Sequence, residues 1–484
     1  MIAVTMTRAR RLTALAVMLA AIPAAAQQPP DRTKPPTLGP APVLTLPAVH
    51  KLVLANGLRV WVLEQHEVPL VQANLVVLSG ASADVPGQFG VASMTAAMLD
   101  EGAAGKAALA VADSIEFLGA QLSAAAGFDA STVRLSTPAT KLREALDVLA
   151  DVAFAPDFPA EELERLRAER LTGLLQARDD ASALVAMAYP RLLFGPEHRY
   201  GTSVVGTETS IRALGVNQLR DYHRSHYRPD NAVLIVVGDV TPEALTPLLD
   251  ARFGTWRAEG PAAAPFPVRA SPQPAARRIY LVDKPGAAQS QIRIGLVGVP
   301  RSTPDYIALD VLNTILGGSF TSRLNQNLRE RNGYTYGASS RFDMRRSAGP
   351  FQAGAGVQTD KTAEALTEFF NELTAMLAPV PADELEKAKN YAALSFGGEF
   401  ETTRQLAAKL EEIAVYGLPD DVFTKYVGAV QAITAADLTR AAKQYLLLDH
   451  MAVVIVGDRA RIESGIRATN LGPVTVVPVA DVLK

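Results

Sequence analysis

No cysteine occurs among the 484 residues, which excludes disulfides and a lipid-attachment cysteine. That absence does not itself fix the compartment. Charge of one sign is also missing: 47 Lys and Arg stand against 50 Asp and Glu, a formal net charge of -3. Without a basic excess there is no electrostatic case for nucleic-acid binding. Histidine is scarce, six in all, and the closest pair, His223 and His226, has no nearby third donor. A zinc site needs three or four, so packing or capping is the expected role of this pair. The apolar run near the start, Leu12 to Ile22, is about half what spans a bilayer.

That run sits in an informative context. Arg8, Arg10 and Arg11 precede it, and Pro23 and Ala24-Ala25-Ala26 follow, before Gln27. A charged region, a short apolar region and an A-x-A site compose a secretory signal. Residues 1–26 are therefore expected to be a signal peptide, residues 27–47 a Pro-rich linker, and the mature chain an exported, periplasmic protein with no stable transmembrane anchor after cleavage. Ordered structure is expected to start near Val49.

Beyond the linker the chain repeats itself. Lys51 to Leu54, an Asn56-Gly57 turn and Leu58 to Leu63 read as a hairpin, with another strand at Ala73 to Leu78. Ala232 to Gly238 and Ala452 to Gly457 are apolar strands, each followed by Asp, about 220 residues apart. A period of that size is a duplicated domain, not a solenoid. The Pro- and Ala-rich stretch 260–274 separates the copies, giving domains at 48–259 and 275–484. Ala160 to Arg178 has the pattern of an amphipathic helix. Ala382 to Tyr416 should be two helices, because Gly397-Gly398 interrupts it. The expected fold class is α+β, with two homologous α/β-sandwich-like domains.

The segment Gly90-Val91-Ala92-Ser93-Met94-Thr95-Ala96-Ala97-Met98-Leu99-Asp100-Glu101-Gly102 resembles, without a gap, the motif G-L-A-H-x-x-E-H-M-x-x-x-G-T of the pitrilysin and mitochondrial-processing-peptidase family. In an H-x-x-E-H helix two imidazoles four residues apart hold one zinc, and the Glu takes a proton from its water. Here those places hold Ser93, Ala96 and Ala97. The family's third ligand is a Glu on a later helix. Anchored on Asp179-Asp180, its position falls at Gly173. Glu169, one turn away, would be a lone carboxylate. Ser93 as a nucleophile lacks a local His or Lys to act as base. The expected buried stripe is Val91, Met94, Thr95 and Met98, leaving Ser93, Ala96 and Ala97 on the opposite face.

A second motif, Leu316-Gly317-Gly318-Ser319-Phe320-Thr321-Ser322-Arg323-Leu324 followed by Leu328-Arg329-Glu330-Arg331-Asn332-Gly333-Tyr334-Thr335-Tyr336-Gly337, resembles the C-terminal domain of the same family. There, an Arg and a Tyr seven residues on approach substrate held at the zinc of a facing domain. The resemblance assigns these roles to Arg329 and Tyr336, with Gly317-Gly318 as candidate cleft lining; Tyr334 is a competitor, since residues two apart in a strand share a face. A guanidinium and a phenol can stabilise a developing oxyanion, each such donor being worth about 10²–10³ in rate.

The resemblance extends from His50 to Asp458. It implies half of a clamshell: a non-zinc-binding subunit that holds no cofactor itself, pairs with a zinc-binding H-x-x-E-H sister subunit, and acts on unfolded peptide. The alternative it also admits is a catalytically inert structural or peptide-binding protein of the same fold. An autonomous hydrolase using Ser93 is a third reading.

Overall fold

Each copy of the duplicated unit builds a six-stranded mixed sheet in which five strands share one order, while the sixth is supplied from the start of the first copy and from the end of the second. The computed structural model describes Gly39 and residues 43–262 and 268–483. The expected signal peptide, most of the Pro-rich linker and residues 263–267 of the interdomain stretch lie outside the described residues.

The first half contains β1 (Val49–Val53), β2 (Arg59–Glu64), β3 (Leu70–Val77), the two-residue strands β4 (Gly102–Ala103) and β5 (Lys106–Ala107), β6 (Gln121–Ala126), β7 (Ser131–Pro138) and β8 (Ala232–Gly238). The second contains β9 (Arg278–Asp283), β10 (Gln289–Val297), β11 (Thr335–Phe342), β12 (Pro350–Gln358), β13 (Ala452–Gly457) and β14 (Val474–Val477). The sheets run β1-β2-β8-β3-β7-β6 and β14-β9-β13-β10-β12-β11. In both, the late closing strand is inserted centrally: β8 lies parallel to β2 and antiparallel to β3, and β13 lies parallel to β9 and antiparallel to β10. The two Gly-Asp strands thus occupy one role twice. At Asn56-Gly57 the chain turns back so that Val53 pairs with Arg59, with Gly57 at φ +90°, a conformation that favours glycine.

These closing strands are apolar at every position because both faces are covered. On β8, Leu234 and Val236 join the first half's own core, while Val233, Ile235 and Val237 join the second half's. On β13, Val453 and Ile455 face their own half. Val454 and Val456 face Leu184, Val185, Ala188 and Tyr189 of the helix Ala181–Phe194. That helix comes from the first half and lies on the second sheet. Its counterpart Thr403–Tyr416, from the second half, lies on the first sheet. Each half lends one helix to the other.

The expected break inside 382–416 is present: helices Ala382–Ser395 and Thr403–Tyr416 flank a 3-10 turn at Phe396–Phe400. The amphipathic helix spans Ala160–Ala177.

The lent helix Ala181–Phe194 seats through one polar contact. Tyr189, fully buried, donates its hydroxyl to the carbonyl of Phe351 on β12 at 2.5 Å. Gly295 on β10 makes that room, since a Cβ there would stand 2.0 Å from the same carbonyl oxygen and 2.3 Å from the Tyr189 hydroxyl. Gly295→Ala is therefore expected to destabilise the fold by about 1–3 kcal/mol, read as a lower urea midpoint at unchanged slope.

Candidate functional site

The segment that resembles a zinc helix is a helix at Val91–Ala97, and its N-terminus is built for rigidity. Gly90 sits at φ +99°, and a Cβ on it would fall 2.3 Å from the carbonyl oxygen of Val205. Asp84 accepts from the Gly90 and Ala92 amides at 2.7 and 3.1 Å and from Arg199 Nη2 at 3.0 Å. Side chains of both ion-pair partners are almost wholly buried. Burial pushes the Asp84 carboxyl up to about 6, against the pull of Arg199 and the two amides. A buried pair of this kind fixes geometry more than it adds stability.

The expected two-faced burial of this helix needs correction. Val91, Met94, Thr95 and Met98 are buried as expected, but Ser93 and Ala96 are buried too, and only Ala97 is partly exposed. The covering group is Arg170, from the helix Ala160–Ala177. Its Nη1 donates to Ser93 Oγ at 3.0 Å and its Nη2 to the Ser93 carbonyl at 2.9 Å. Ser93 Oγ in turn donates to the Gly90 carbonyl at 3.2 Å. Burial pulls the Arg170 guanidinium down to about 10, so it remains cationic at neutral pH. Gly173, one turn on, is exposed, and a Cβ there would touch nothing within 4 Å. Glu169 points to solvent, 3.8 Å from Arg165.

Zinc does not fit these residues. Ser93, Ala96, Ala97 and Gly173 offer no imidazole, thiolate or carboxylate, and a guanidinium already lies against residue 93. Among the described residues, no group of three His, Asp or Glu could hold a metal. His223 and His226 are packing residues: their rings lie 4.8 Å from Tyr227 and 4.2 Å from Tyr222, and His223 Nε2 is 2.9 Å from the Ala153 carbonyl. Burial lowers the pKa of both, that of His226 to about 4.

The Arg/Tyr motif lies on the second half. Arg329 belongs to a π-helical turn, Gln326–Arg331, and Tyr336 to β11, the last strand of its sheet. The Arg329 guanidinium rests 4.5 Å from the ring centre of Phe320, itself 64% exposed, and 3.5 Å from Glu330. Tyr336 is 91% exposed. Its competitor Tyr334 packs against the core instead. The two tyrosines do not share a strand face as their spacing implied, because β11 begins at Thr335 and a register shift falls between Thr335 and Ala338.

That irregularity is braced from the helix side. Asn325 Oδ1 accepts from the Ala338 amide at 2.8 Å, and Thr335 Oγ1 accepts from the Gly337 amide at 3.1 Å while donating to Gly356 O at 2.7 Å. Arg323 holds the start of the same helix through Glu384, at 2.8 and 2.6 Å. Gly317 lets this layer lie directly on β11, since a Cβ would stand 2.3 Å from the Ser340 amide nitrogen. At Gly318 a Cβ would stand 2.7 Å from Asn313 Nδ2. Arg170 and Asn325 are the site residues that pattern reading missed.

Fold and site together define a class: a duplicated α+β unit of the peptidase kind, with an arginine bonded to Ser93 of the helix that resembles a zinc motif. Residues 59–189 match the profile described as insulinase (peptidase family M16), and residues 213–391 the one described as peptidase M16 inactive domain. The chain belongs to the M16 family of insulinase-type peptidases. It is similar to a peptidase M16 inactive domain from Pseudomonas fluorescens, with a TM-score of 0.79 and 28% identity over 84% of this chain and 98% of that one. The first half of the periplasmic protease PqqL from Escherichia coli shares the fold at 18% identity, with a TM-score of 0.68 over 88% of this chain and 98% of that one. An uncharacterized zinc protease of Streptomyces coelicolor is 26% identical over 67% of this chain and 71% of that protein.

Two outcomes follow from this geometry. Installing Ser93→His, Ala96→Glu, Ala97→His and Gly173→Glu should leave zinc substoichiometric after dialysis. Adding Arg170→Ala should raise the metal-to-protein ratio; full loading with Arg170 in place would show that the guanidinium is no barrier. The histidines give a pH dependence. With folded pKa values below the ordinary 6.5, their contribution is complete above that pH and is lost as pH falls through about 4 for His226. His226→Phe, which keeps the stack on Tyr222, should flatten the fall in thermal midpoint between pH 6.5 and 4.

Proposed function

We propose that this chain is the non-zinc-binding subunit of an exported, two-chain metallopeptidase that degrades or processes unfolded peptides. The observation that carries the proposal is the contrast between its two motifs. Arg170 is bonded to Ser93, the first of the places where the motif would carry a ligand, whereas Tyr336 is exposed, close in sequence to Arg329. Zinc held by an H-x-x-E-H sister subunit would supply the activated water. Arg329 and Tyr336 would donate hydrogen bonds to the carbonyl oxygen as negative charge develops on it. Gly317 serves by keeping its layer close to β11, next to the substrate, and Gly318 by letting the chain pass Asn313.

Two further features support a peptide ligand. The sheets end on β6 and β11, each with one strand neighbour, and a free sheet edge can accept an extended peptide as an added strand. The N-terminal sequence supports export to the periplasm. No helix among the described residues is long and apolar enough to cross a membrane.

Mixed with its zinc-bearing sister subunit, the chain should confer peptide cleavage that it lacks alone. Arg329→Ala and Tyr336→Phe should each lower turnover of the complex by about 10²–10³ at unchanged zinc content. Turnover intact in both variants would leave the inert, peptide-binding reading in its place.

A further inference from the structure

The duplication provides an internal control for one cavity. On the first sheet, Asn74 of β3 pairs with Arg134 of β7 and with Ile235 of β8. The lent helix Thr403–Tyr416 places Glu411, its ninth residue, over them. Asn74 Nδ2 donates to Glu411 at 2.5 Å, and Arg134 Nη2 and Nε donate at 2.8 and 3.3 Å. One acid thus neutralises one base.

The equivalent place on the second sheet is charged differently. Arg293 of β10 stands where Asn74 does, paired with Gly354 of β12 and Val454 of β13. The ninth residue of the helix Ala181–Phe194 is Tyr189, not an acid. Gly354 lets the guanidinium through, since a Cβ there would lie 2.7 Å from Arg293 Nη1. Among the described residues, Arg293 donates to a neutral acceptor only, the Ile292 carbonyl at 2.9 Å. Arg341 of β11 adds a second cation. Its partner is the Gln352 carboxamide, whose oxygen accepts from Nε and Nη2 at 2.5 and 2.7 Å when it faces the guanidinium. Burial first, and then repulsion by Arg341, lower the pKa of Arg293.

These residues line a cavity of about 500 Å³ between the lent helix and the second sheet. Its one lining carboxylate among the described residues, Asp343, is held by Arg345 at 2.5 Å. Arg345 Nη1 is itself buried without a hydrogen-bond partner. Arg293 and Arg341 therefore face this cavity without an acidic partner among the described residues. Planar forks of this kind recognise carboxylates.

We propose that this cavity is a carboxylate-binding subsite for peptide, with Arg293 and Arg341 as the receiving pair. The carboxylate is an acidic side chain or the peptide's own C-terminal group. One wall of the cavity is β11 at Ser339 and Arg341, so a strand added to that edge would bring its side chains to the arginines. Peptide as the carrier rests on the functional reading above; the charge argument does not.

The test uses the isolated full-length chain, without sister subunit or turnover, so its failure and the failure of the catalytic proposal are separable. Three fluorescent Ala/Ser decapeptides, all N-terminally capped, are compared by anisotropy at low salt. One carries a central Glu and an amidated end, one a Gln at that place with the same end, and one the Gln with a free carboxylate. The Glu peptide, the free-carboxylate peptide or both should bind about tenfold tighter than the amidated Gln peptide, the scale of one charge-assisted contact. Which of the two gains identifies the source of the carboxylate. Arg293→Gln with Arg341→Gln should abolish the gain, and Arg341→Gln alone, at an exposed position, should reduce it. Arg461→Gln, which removes an equal charge elsewhere, should leave it unchanged. Equal binding of all three peptides, binding by none, or a gain that survives the double variant in folded protein would overturn the assignment.

Discussion

The reciprocal loan of helices is the constraint on which the rest of this structure depends. A mixed sheet buried on one face only would expose β8 or β13 along an entire apolar side, at about 25 cal/mol for each Å² left in water. The helices Ala181–Phe194 and Thr403–Tyr416 cover those sides. Because each helix belongs to the other half, the packing that stabilises one sheet also sets the position of the other. Tyr189 on Phe351 and Glu411 on Asn74 and Arg134 are the polar pins of that arrangement. Both cavity and edge strand owe their placement to it.

The two chemical motifs then differ in how their surroundings use them. Ser93 itself is tied inward: Gly90 accepts, Arg170 donates, and Asp84 caps the helix. Around Tyr336, the polar groups of Asn325 and Thr335 are spent on holding backbone, leaving the phenol outside. The first helix is packed into the protein, while the layer on β11 holds an aromatic side chain in water. Desolvating an exposed tyrosine against a partner is a common way to build a contact.

Much of the fold was legible because it rests on local pattern. The Gly-Asp strands, the Asn56-Gly57 turn and the break near Gly397-Gly398 are written in adjacent residues. That Ala96 and Ala97 carry no donor for a metal is equally plain. What stayed hidden depends on distance in sequence. Arg170 lies among Arg165 and Arg167 on a charged helix, where arginine is ordinarily solvated; only the fold carries it to Ser93, 77 residues away. The register shift in β11 leaves no signature in Thr335-Tyr336-Gly337, so the shared strand face expected of Tyr334 and Tyr336 is not found there. Amphipathic pattern tells that a helix has an apolar face, but not which sheet receives it.

The exchange of helices has the topology of a swapped, two-fold symmetric dimer written into one polypeptide. Two identical chains assembled in that way would carry the same residue at both related places, so any change would be made twice. Joined in one chain, the places can diverge. Asn74 faces Glu411 while Arg293 faces Tyr189, an asymmetry unavailable to a homodimer. Tethering the copies turned one repeated contact into two independent ones, of which the first is closed by the protein's own acid and the second is not.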